Sequence, residues 1–272
     1  MILRMRRSKI QINTPQAHFL TLAITLLILF AAGNALAHWD LGDDYKMHYP
    51  QLPDPNGWDV YAEYQASGYS GWPWWWGQTK RGLADDWLCT ESGEVNDIHF
   101  WGSWKNDIVG TTGNIYAAIL ADDNGTPGDV LWDDVFNVGE YQVRLYGSGD
   151  QGWFDPYTDF NDIHDHNNIY QYNISFIENP FYQEEGTIYW LALSMNFVGC
   201  EWGWKTSQDH FGADAQYLLN MGWPPPWWVW DEIIDPITSQ SLDMAFVITP
   251  EPTTICLLGL GAIGLLRKRE NS

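Results

Sequence analysis

The sequence is poor in basic residues and cysteines, and neither of its apolar runs is long enough to span a bilayer comfortably. Of its 272 residues, 13 are lysine or arginine and 35 are aspartate or glutamate, so the formal net charge at pH 7 is −22. A surface this negative repels a phosphate backbone, which excludes nucleic acid as a partner. Cations, neutral polymers and basic surfaces remain open as partners.

The negative charge is concentrated in the middle of the chain. All but two of the acidic residues, and only six of the bases, lie between residues 38 and 249. The same region contains all 18 tryptophans. A domain of this size needs only a few tryptophans for its core, so either the core is unusually aromatic or several of them are exposed.

The N-terminal stretch predicts an export signal. A basic segment precedes an apolar one over residues 19–32, and Ala35 and Ala37 form a small-x-small cleavage site that would leave His38 as the first residue. An uncleaved membrane anchor is the alternative, but the apolar segment is shorter than the ~20 residues that a spanning helix needs. The basic residues of the signal are Arg4, Arg6, Arg7 and Lys9.

The C-terminal stretch has three parts in a fixed order. Pro250, Glu251 and Pro252 form a triplet whose prolines favour an extended backbone. Residues 253–266 are all apolar, small or threonine, and as a helix they would rise only ~21 Å against ~30 Å of hydrocarbon. A basic cluster follows, which the positive-inside rule places in the cytoplasm, with the preceding chain outside the inner membrane. Its residues are Arg267, Lys268 and Arg269.

These three parts, together with the N-terminal signal, resemble the PEP-CTERM sorting signal of Gram-negative bacteria. The resemblance implies that a membrane-embedded protease, exosortase, recognises the Pro-Glu-Pro triplet. It also implies that the apolar segment enters the inner membrane only transiently, and that the protein then passes to the cell envelope, surface or extracellular matrix. A plain tail anchor is the alternative. The expected organisation is a signal peptide over residues 1–37, a domain over 38–249 and a sorting signal over 250–272.

The middle region has the periodicity of strands. Apolar and polar residues alternate without exception over residues 170–176, as in a sheet with one solvated face. Only residues 214–221 have a composition that could form two helical turns. The expected fold is all-β, an antiparallel β-sandwich of jelly-roll type, flanked by the signal peptide and a short hydrophobic C-terminal helix. Strand patterns also cover residues 95–101, 115–121, 130–138, 141–146, 187–195 and 242–248.

Five phrases of this region resemble an uncharacterised domain that recurs in PEP-CTERM proteins of planctomycete-type bacteria. The resemblance runs over about residues 80–248 and implies a sandwich fold, without assigning a catalytic residue. The phrases cover residues 84–87, 95–104, 122–128, 189–193 and 243–246.

Two clusters of tryptophan and proline, at residues 71–77 and 223–230, predict stiff loops, because proline removes a donor and restricts the backbone. Ordered aromatic faces suit stacking on sugar rings, such as those of an exopolysaccharide. The alternative is that these loops cover the ends of the sandwich. The candidate stacking residues are Trp72, Trp74, Trp75, Trp76, Trp227, Trp228 and Trp230.

Four Asp-Asp doublets offer carboxylate oxygens, which hold Ca²⁺ when several of them converge. None fits the twelve-residue calcium loop, and solvated turns explain each of them equally well, so a structural calcium ion is left open and no other cofactor is expected. The doublets lie at residues 43–44, 85–86, 122–123 and 133–134.

The segment around Asp162, His164 and His166 is the candidate site for a transition metal. Residues two apart on a strand point to the same side, so the two imidazoles would face one way.

Cys89 and Cys200 are the cysteines left once Cys256 is assigned to the tail. In an exported protein they predict a disulfide closing a loop of ~110 residues, with two inert thiols as the alternative.

The sequence places no two carboxylates at the separation that glycoside hydrolysis requires, although Glu140, Glu201 and Glu232 are candidates by residue type. We therefore expect no catalytic residue and no enzyme. The expected function is that of a structural or adhesive surface protein, with a carbohydrate-binding module as the first alternative and a glycan-active enzyme as the second.

Overall fold

The computed structural model describes residues 38–64, 79–220 and 228–249, with the backbone alone at positions 64, 79, 80, 220 and 228. From Trp39 onward the chain belongs to one compact unit. The part described is nearly all β, which confirms the predicted fold class, and it contains one short 3-10 turn at Lys105–Asp107. The strands are β1 (Trp58–Tyr61), β2 (Glu63–Tyr64), β3 (Thr79–Arg81), β4 (Leu83–Leu88), β5 (Gly93–Val95), β6 (Asp97–Trp104), β7 (Thr111–Asp122), β8 (Pro127–Phe136), β9 (Tyr141–Asp155), β10 (Phe160–Ile174), β11 (Phe181–Gln183), β12 (Ile188–Val198), β13 (Trp202–Ser207), β14 (Gln216–Asn220), β15 (Trp228–Glu232), β16 (Asp243–Met244) and β17 (Phe246–Thr249).

One layer is an eight-stranded sheet built around β12. β12 pairs antiparallel with β4 on one side and with β7 on the other, and β8 extends the sheet beyond β7. The hairpin of β14 and β15 lies next to β4, but β14 pairs with β4 only at Ala84 and Leu83. Beyond these two residues, the edge of β4 opposite β12 is not paired with β14, and Asp86 there accepts a hydrogen bond from the Ala213 N–H.

The other layer is a seven-stranded sheet in which five strands form a closed hydrogen-bonded circuit. β6 pairs with both β10 and β13, and β13 connects through β1 and β9 back to β10. Gly102 makes the closure sterically acceptable, because a Cβ there would collide with the Trp202 ring and the Gly203 carbonyl. β1 pairs with β9 in parallel, and β2 pairs with β12 in parallel, so the pairing is not purely antiparallel.

In the part of the chain that the structure describes, the core between the sheets is rich in aromatic side chains. Trp87 of the first sheet packs edge-on against Phe246 of the second, with ring centroids 6.2 Å apart. Such pairs are worth ~0.5–1.5 kcal/mol each beyond the area they bury. Trp132 and Trp230 are half-buried, and the tryptophans buried in the described part are Trp39, Trp58, Trp87, Trp101, Trp104, Trp153, Trp190, Trp202 and Trp204.

The predicted strands are present, with two differences. Strands β9 and β10 each run over 15 residues and extend well beyond the predicted ranges 141–146 and 170–176. The helical turns expected over residues 214–221 are replaced, in the described part, by strand β14 (Gln216–Asn220), which pairs with β15 along its whole length. The predicted C-terminal helix lies outside the described residues. Within the described part, no helix has the length and apolar character needed to cross a membrane.

Candidate metal centre

A group of buried carboxylates lies beside β4, just past the two residues that pair with β14. The segment of residues 208–215, which leads into β14, lies next to β4 at this point. Asp85 and Asp86 are consecutive on β4, so they point to opposite faces of the strand, yet both are essentially inaccessible to solvent, as is Asp243 of β16. We call this group the acidic pocket. It consists of Gln51, Asp85, Asp86, His210, Asp214 and Asp243.

Asp85 accepts three hydrogen bonds. The Gln51 side-chain amide donates at 2.8 Å, the Met244 backbone N–H at 2.7 Å and the Asp86 backbone N–H at 2.8 Å. The Oε1 atom of the same Gln51 amide is buried and has no hydrogen-bond partner. Asp85 is thus held firmly in place, while an acceptor beside it is left unused.

Asp86 faces the segment that leads into β14. Its Oδ2 accepts from the Ala213 N–H at 3.1 Å, and a Cβ on Gly212 would collide with the carboxylate. Gly212 has a positive φ of 63°, which favours glycine. The second oxygen, Oδ1, is buried without a hydrogen-bond partner. Half of this carboxylate is therefore uncompensated.

Asp243 contacts the same segment. Its Oδ2 accepts from the Phe211 N–H at 2.8 Å, and its Oδ1 lies 3.3 Å from Nδ1 of His210. Ligand atoms of His210, Asp214 and Asp243 all lie within 4.8 Å of one another. Tyr49 donates its hydroxyl hydrogen to the His210 carbonyl, which holds this part of the segment in place. The three side chains thus form a set of donors that is already assembled.

The electrostatics of the pocket are unfavourable to three negative charges. Burial, followed by the charge of Asp243, raises the pKa of Asp85 well above its ordinary value. Burial also raises the pKa of Asp86 to about 7 and that of Asp243 to about 6. Among the side chains that the structure describes, no lysine or arginine forms an ion pair with these three carboxylates.

A second buried group of charges lies inside the strand circuit of the other sheet. Nε2 of His166 lies 2.8 Å from Asp59 Oδ2, Nδ1 of His166 lies 2.8 Å from Asp165 Oδ2, and the Lys205 ammonium lies 3.1 Å from Asp59. Because both ring nitrogens face carboxylate oxygens, both donate, and the imidazole is cationic. We call Asp59, Asp165, His166 and Lys205 the paired cluster. It holds two negative and two positive charges.

The pKa values of the paired cluster follow from this pairing. Burial would raise the pKa of Asp59, but Lys205 and His166 lower it below its ordinary value. Burial would lower the pKa of His166, but Asp59 and Asp165 raise it. For Lys205 burial prevails, and its pKa is lowered although Asp59 opposes the shift. The cluster is a compensated structural unit.

The predicted histidine site does not form. The register between β9 and β10 shifts between Asp162 and His166, and His164 adopts a positive φ of 62°. His164 is therefore exposed and paired with Asp150, while His166 is buried in the paired cluster and Asp162 is exposed. The bulge removes the two-residue alternation on which the prediction depended.

The predicted disulfide is not formed either. Cys89 and Cys200 are both free thiols, and each donates to a backbone carbonyl close by, Cys89 to Glu91 and Cys200 to Lys105. Cys89 directly follows β4 of the eight-stranded sheet, and Cys200 lies just before β13 of the seven-stranded sheet. The alternative of two thiols therefore holds.

The tryptophan candidates are described only in part. Trp72, Trp74, Trp75, Trp76 and Trp227 lie outside the described residues, and only the backbone of Trp228 is described. Trp230 is half-buried and packs against an apolar cluster on the outer face of the eight-stranded sheet. The signal cleavage residues Ala35 and Ala37, the triplet at 250–252 and the basic cluster at 267–269 also lie outside the described part.

The three candidate glutamates lie on separate elements. Glu140 accepts from the Asn137 N–H in the turn before β9, Glu201 pairs with Lys105 at 2.6 Å, and Glu232 is exposed at the end of β15.

The sequence marks Asp85 and Asp86 as one of four Asp-Asp doublets and carries no local signal for the other members of the acidic pocket. Those members are Gln51, His210, Asp214 and Asp243. These residues are far apart in the chain. The one local signal was a strand, β4, that carries two adjacent carboxylates among apolar neighbours.

Comparison with known families gives two matches. A family model described as a domain of unknown function (DUF7901) matches residues 47–249, and a model of the PEP-CTERM protein-sorting motif matches residues 249–269. No curated protein matches the chain. The sorting motif confirms the predicted resemblance and marks an exported protein that exosortase processes for delivery to the cell envelope or surface. The chain belongs to the DUF7901 family and carries a PEP-CTERM sorting motif directly after its domain.

Proposed function

We propose that the domain is a structural or adhesive component of the exopolysaccharide layer and that it catalyses no reaction. The observation that carries the proposal is the direct junction of a strongly acidic β domain with a sorting motif at residue 249. The protein would be exported with loss of residues 1–37, held briefly at the inner membrane by residues 253–266, and passed to exosortase.

The absence of catalysis is supported by how the candidate acids are used. Glu201 is paired with Lys105, and Glu140 caps a turn. The paired cluster is enclosed, and its two carboxylates are balanced by the charges of His166 and Lys205. Such a group stabilises a fold more readily than it reacts with a polymer.

Fractionation of the host tests this proposal. The wild-type protein should be recovered from the surface and polysaccharide fractions, with an intact mass that shows both ends trimmed. Replacing the Pro-Glu-Pro triplet by three alanines should leave the protein in the membrane fraction. Full-length wild-type protein in the cytosol would contradict the proposal. Turnover on a polysaccharide panel that disappears in Glu201→Gln would replace it with an enzyme.

Glycan binding is the second candidate, and one described feature favours it. Trp230 lines a depression on the outer face of the eight-stranded sheet together with Tyr116, Val130 and Leu218, and the buried Ser194 hydroxyl beside them has no hydrogen-bond partner. Trp230 is half-buried, and the exposed part of its indole offers an apolar face on which a sugar ring can stack. Retention of the protein on a glycan column should fall in Trp230→Ala and persist in Trp230→Phe. Equal retention of both variants would exclude this depression as the binding site.

A further inference from the structure

We propose that the acidic pocket binds one divalent cation where His210, Asp214 and Asp243 converge, with the Asp86 carboxylate beside them. The ion that fits this chemistry best is Ca²⁺. This inference goes beyond the proposed function and does not depend on it.

The first argument is convergence. His210, Asp214 and Asp243 come from a loop and from β16, yet they offer ligand atoms within 4.8 Å of one another. The backbone around them is fixed by two hydrogen bonds, from the Phe211 N–H to Asp243 and from the Ala213 N–H to Asp86. The donors are thus arranged before any ion arrives, which reduces the entropy lost on binding.

The second argument is that buried oxygens are left unused. Oδ1 of Asp86 and Oδ1 of Asp243 make no hydrogen bond, although Asp86 is 1% exposed and Asp243 is fully buried. The Asp86 carboxylate faces Gly212, which lies between His210 and Asp214 in the same loop. Buried polar atoms are nearly always satisfied in folded proteins, so these two oxygens are open to a ligand beside the converging donors.

The third argument is charge. Asp85, Asp86 and Asp243 are all buried, and the one basic side chain paired with any of them in the described part is His210. The paired cluster shows that this fold does place lysine and histidine against buried carboxylates elsewhere. A divalent cation would supply the missing positive charge in the acidic pocket.

The kind of ion follows from the donors. Carboxylate oxygens are hard ligands that Ca²⁺ prefers, and it accepts six to eight oxygens in flexible geometry, with water completing the set. The imidazole of His210 is the single nitrogen donor, whereas zinc sites use mostly nitrogen and sulfur.

Calcium titration of the purified, chelator-treated protein tests the inference. Calorimetry should show one Ca²⁺ per chain, and the melting temperature should rise by about 5–10 °C at a hundredfold excess over Kd. Mg²⁺, Mn²⁺ and Zn²⁺ serve as comparison ions. Absence of stoichiometric calcium binding overturns the inference, and so does binding of Zn²⁺ but not Ca²⁺.

Three variants locate the site. Asp86→Asn and Asp214→Asn should each reduce calcium affinity at least tenfold, and Asp86→Asn should also raise the melting temperature of the cation-free protein, because it removes a buried repulsive charge. Asp214 is half-buried, so its variant should fold even if substitution at Asp86 disturbs the core. Asp44→Asn changes an exposed doublet and should bind calcium as the wild type does. An undiminished calcium response in both pocket variants would overturn the proposed site.

Discussion

The two buried charged groups of this protein differ in whether their carboxylates have positively charged partners. The paired cluster balances Asp59 and Asp165 with His166 and Lys205, at distances of 2.8–3.1 Å. The acidic pocket gathers Asp85, Asp86 and Asp243, with His210 as the one basic side chain paired to them in the described part. The charges of the first group balance within the chain, whereas those of the second balance only with protons or an added cation.

The difference shows how burial alone can mislead. Both groups contain carboxylates with almost no solvent access, but the pKa values of Asp59 and Asp86 shift in opposite net directions. The pKa of Asp59 falls because its partners outweigh desolvation, whereas that of Asp86 rises because nothing does. A buried carboxylate therefore indicates a structural role where it is compensated and a binding role where it is not.

The largest effect should follow from breaking the paired cluster. Lys205→Met leaves a buried carboxylate without its ammonium partner, and we expect a loss of about 3–5 kcal/mol in the free energy of unfolding, measured by urea denaturation. The matched control is Lys105→Met, whose partly exposed pair with Glu201 should cost less than about 1 kcal/mol. Equal losses would contradict the view that burial makes the difference.

A smaller effect is expected in the segment that closes the acidic pocket. Gly212→Ala places a Cβ against the Asp86 carboxylate and forces alanine into a positive φ, so we expect a loss of about 2 kcal/mol. Gly42→Ala shares the positive φ but meets no atom within 4 Å, and it should cost less. If both variants melt at the same temperature, contact with Asp86 does not constrain this segment.

The paired cluster also predicts a pH dependence. The pKa of His166 is raised in the folded state, because the folded protein binds this proton more tightly than the unfolded chain does. The contribution of His166 to the free energy of unfolding is therefore complete below about pH 6.5, and it is lost as the pH rises through the pKa of the folded state. The lowered pKa of Asp59 means that its contribution is lost below about pH 4. The groups facing His166 are Asp59, Asp165, Lys205 and, from the 3-10 turn, Asp107. Urea titrations from pH 5 to 9 should show the free energy of unfolding falling as the pH rises, and in His166→Gln this fall should be smaller by about 1 kcal/mol. An unchanged slope would mean that His166 does not titrate with folding.

The smallest effect should come from reductant. Because Cys89 and Cys200 are free thiols, a reducing agent should shift the melting temperature by less than about 1 °C. Titration of thiols in the unfolded protein should detect both of these cysteines as well as Cys256. A shift of several degrees would show that a bridge, and not the charge clusters, dominates the stability of the domain.

Much of the fold was predictable because it depends on local patterns. Alternation of apolar and polar residues identified β7, β8 and β12, the first part of β9 and the last part of β10. The first part of β10 escaped because most of its residues are exposed, so no alternation marks it. The last part of β9 escaped for the opposite reason, because residues 151–155 are all buried and polar residues stand among them. Strand β4 escaped because its two aspartates interrupt the apolar pattern.

The acidic pocket was not predictable, and the reason is distance along the chain. Gln51, Asp86, Asp214 and Asp243 come from four separate segments. They come together only because β4 pairs with β14 in one sheet, β16 pairs with β13 in the other, and the two sheets pack against each other. The histidine prediction failed for a related reason. A bulge between Asp162 and His166 changes which face each side chain occupies, and bulges are set by the neighbouring strand.

The sequence by itself determined where this protein is sent, its all-β character and its high tryptophan content. A sorting motif is read as a linear segment, and strand periodicity and tryptophan content are properties of the chain alone. The tertiary structure decided which carboxylates are buried and which of them have a positive partner. Charge compensation depends on distances of a few ångströms between side chains far apart in sequence, and only folding sets those distances.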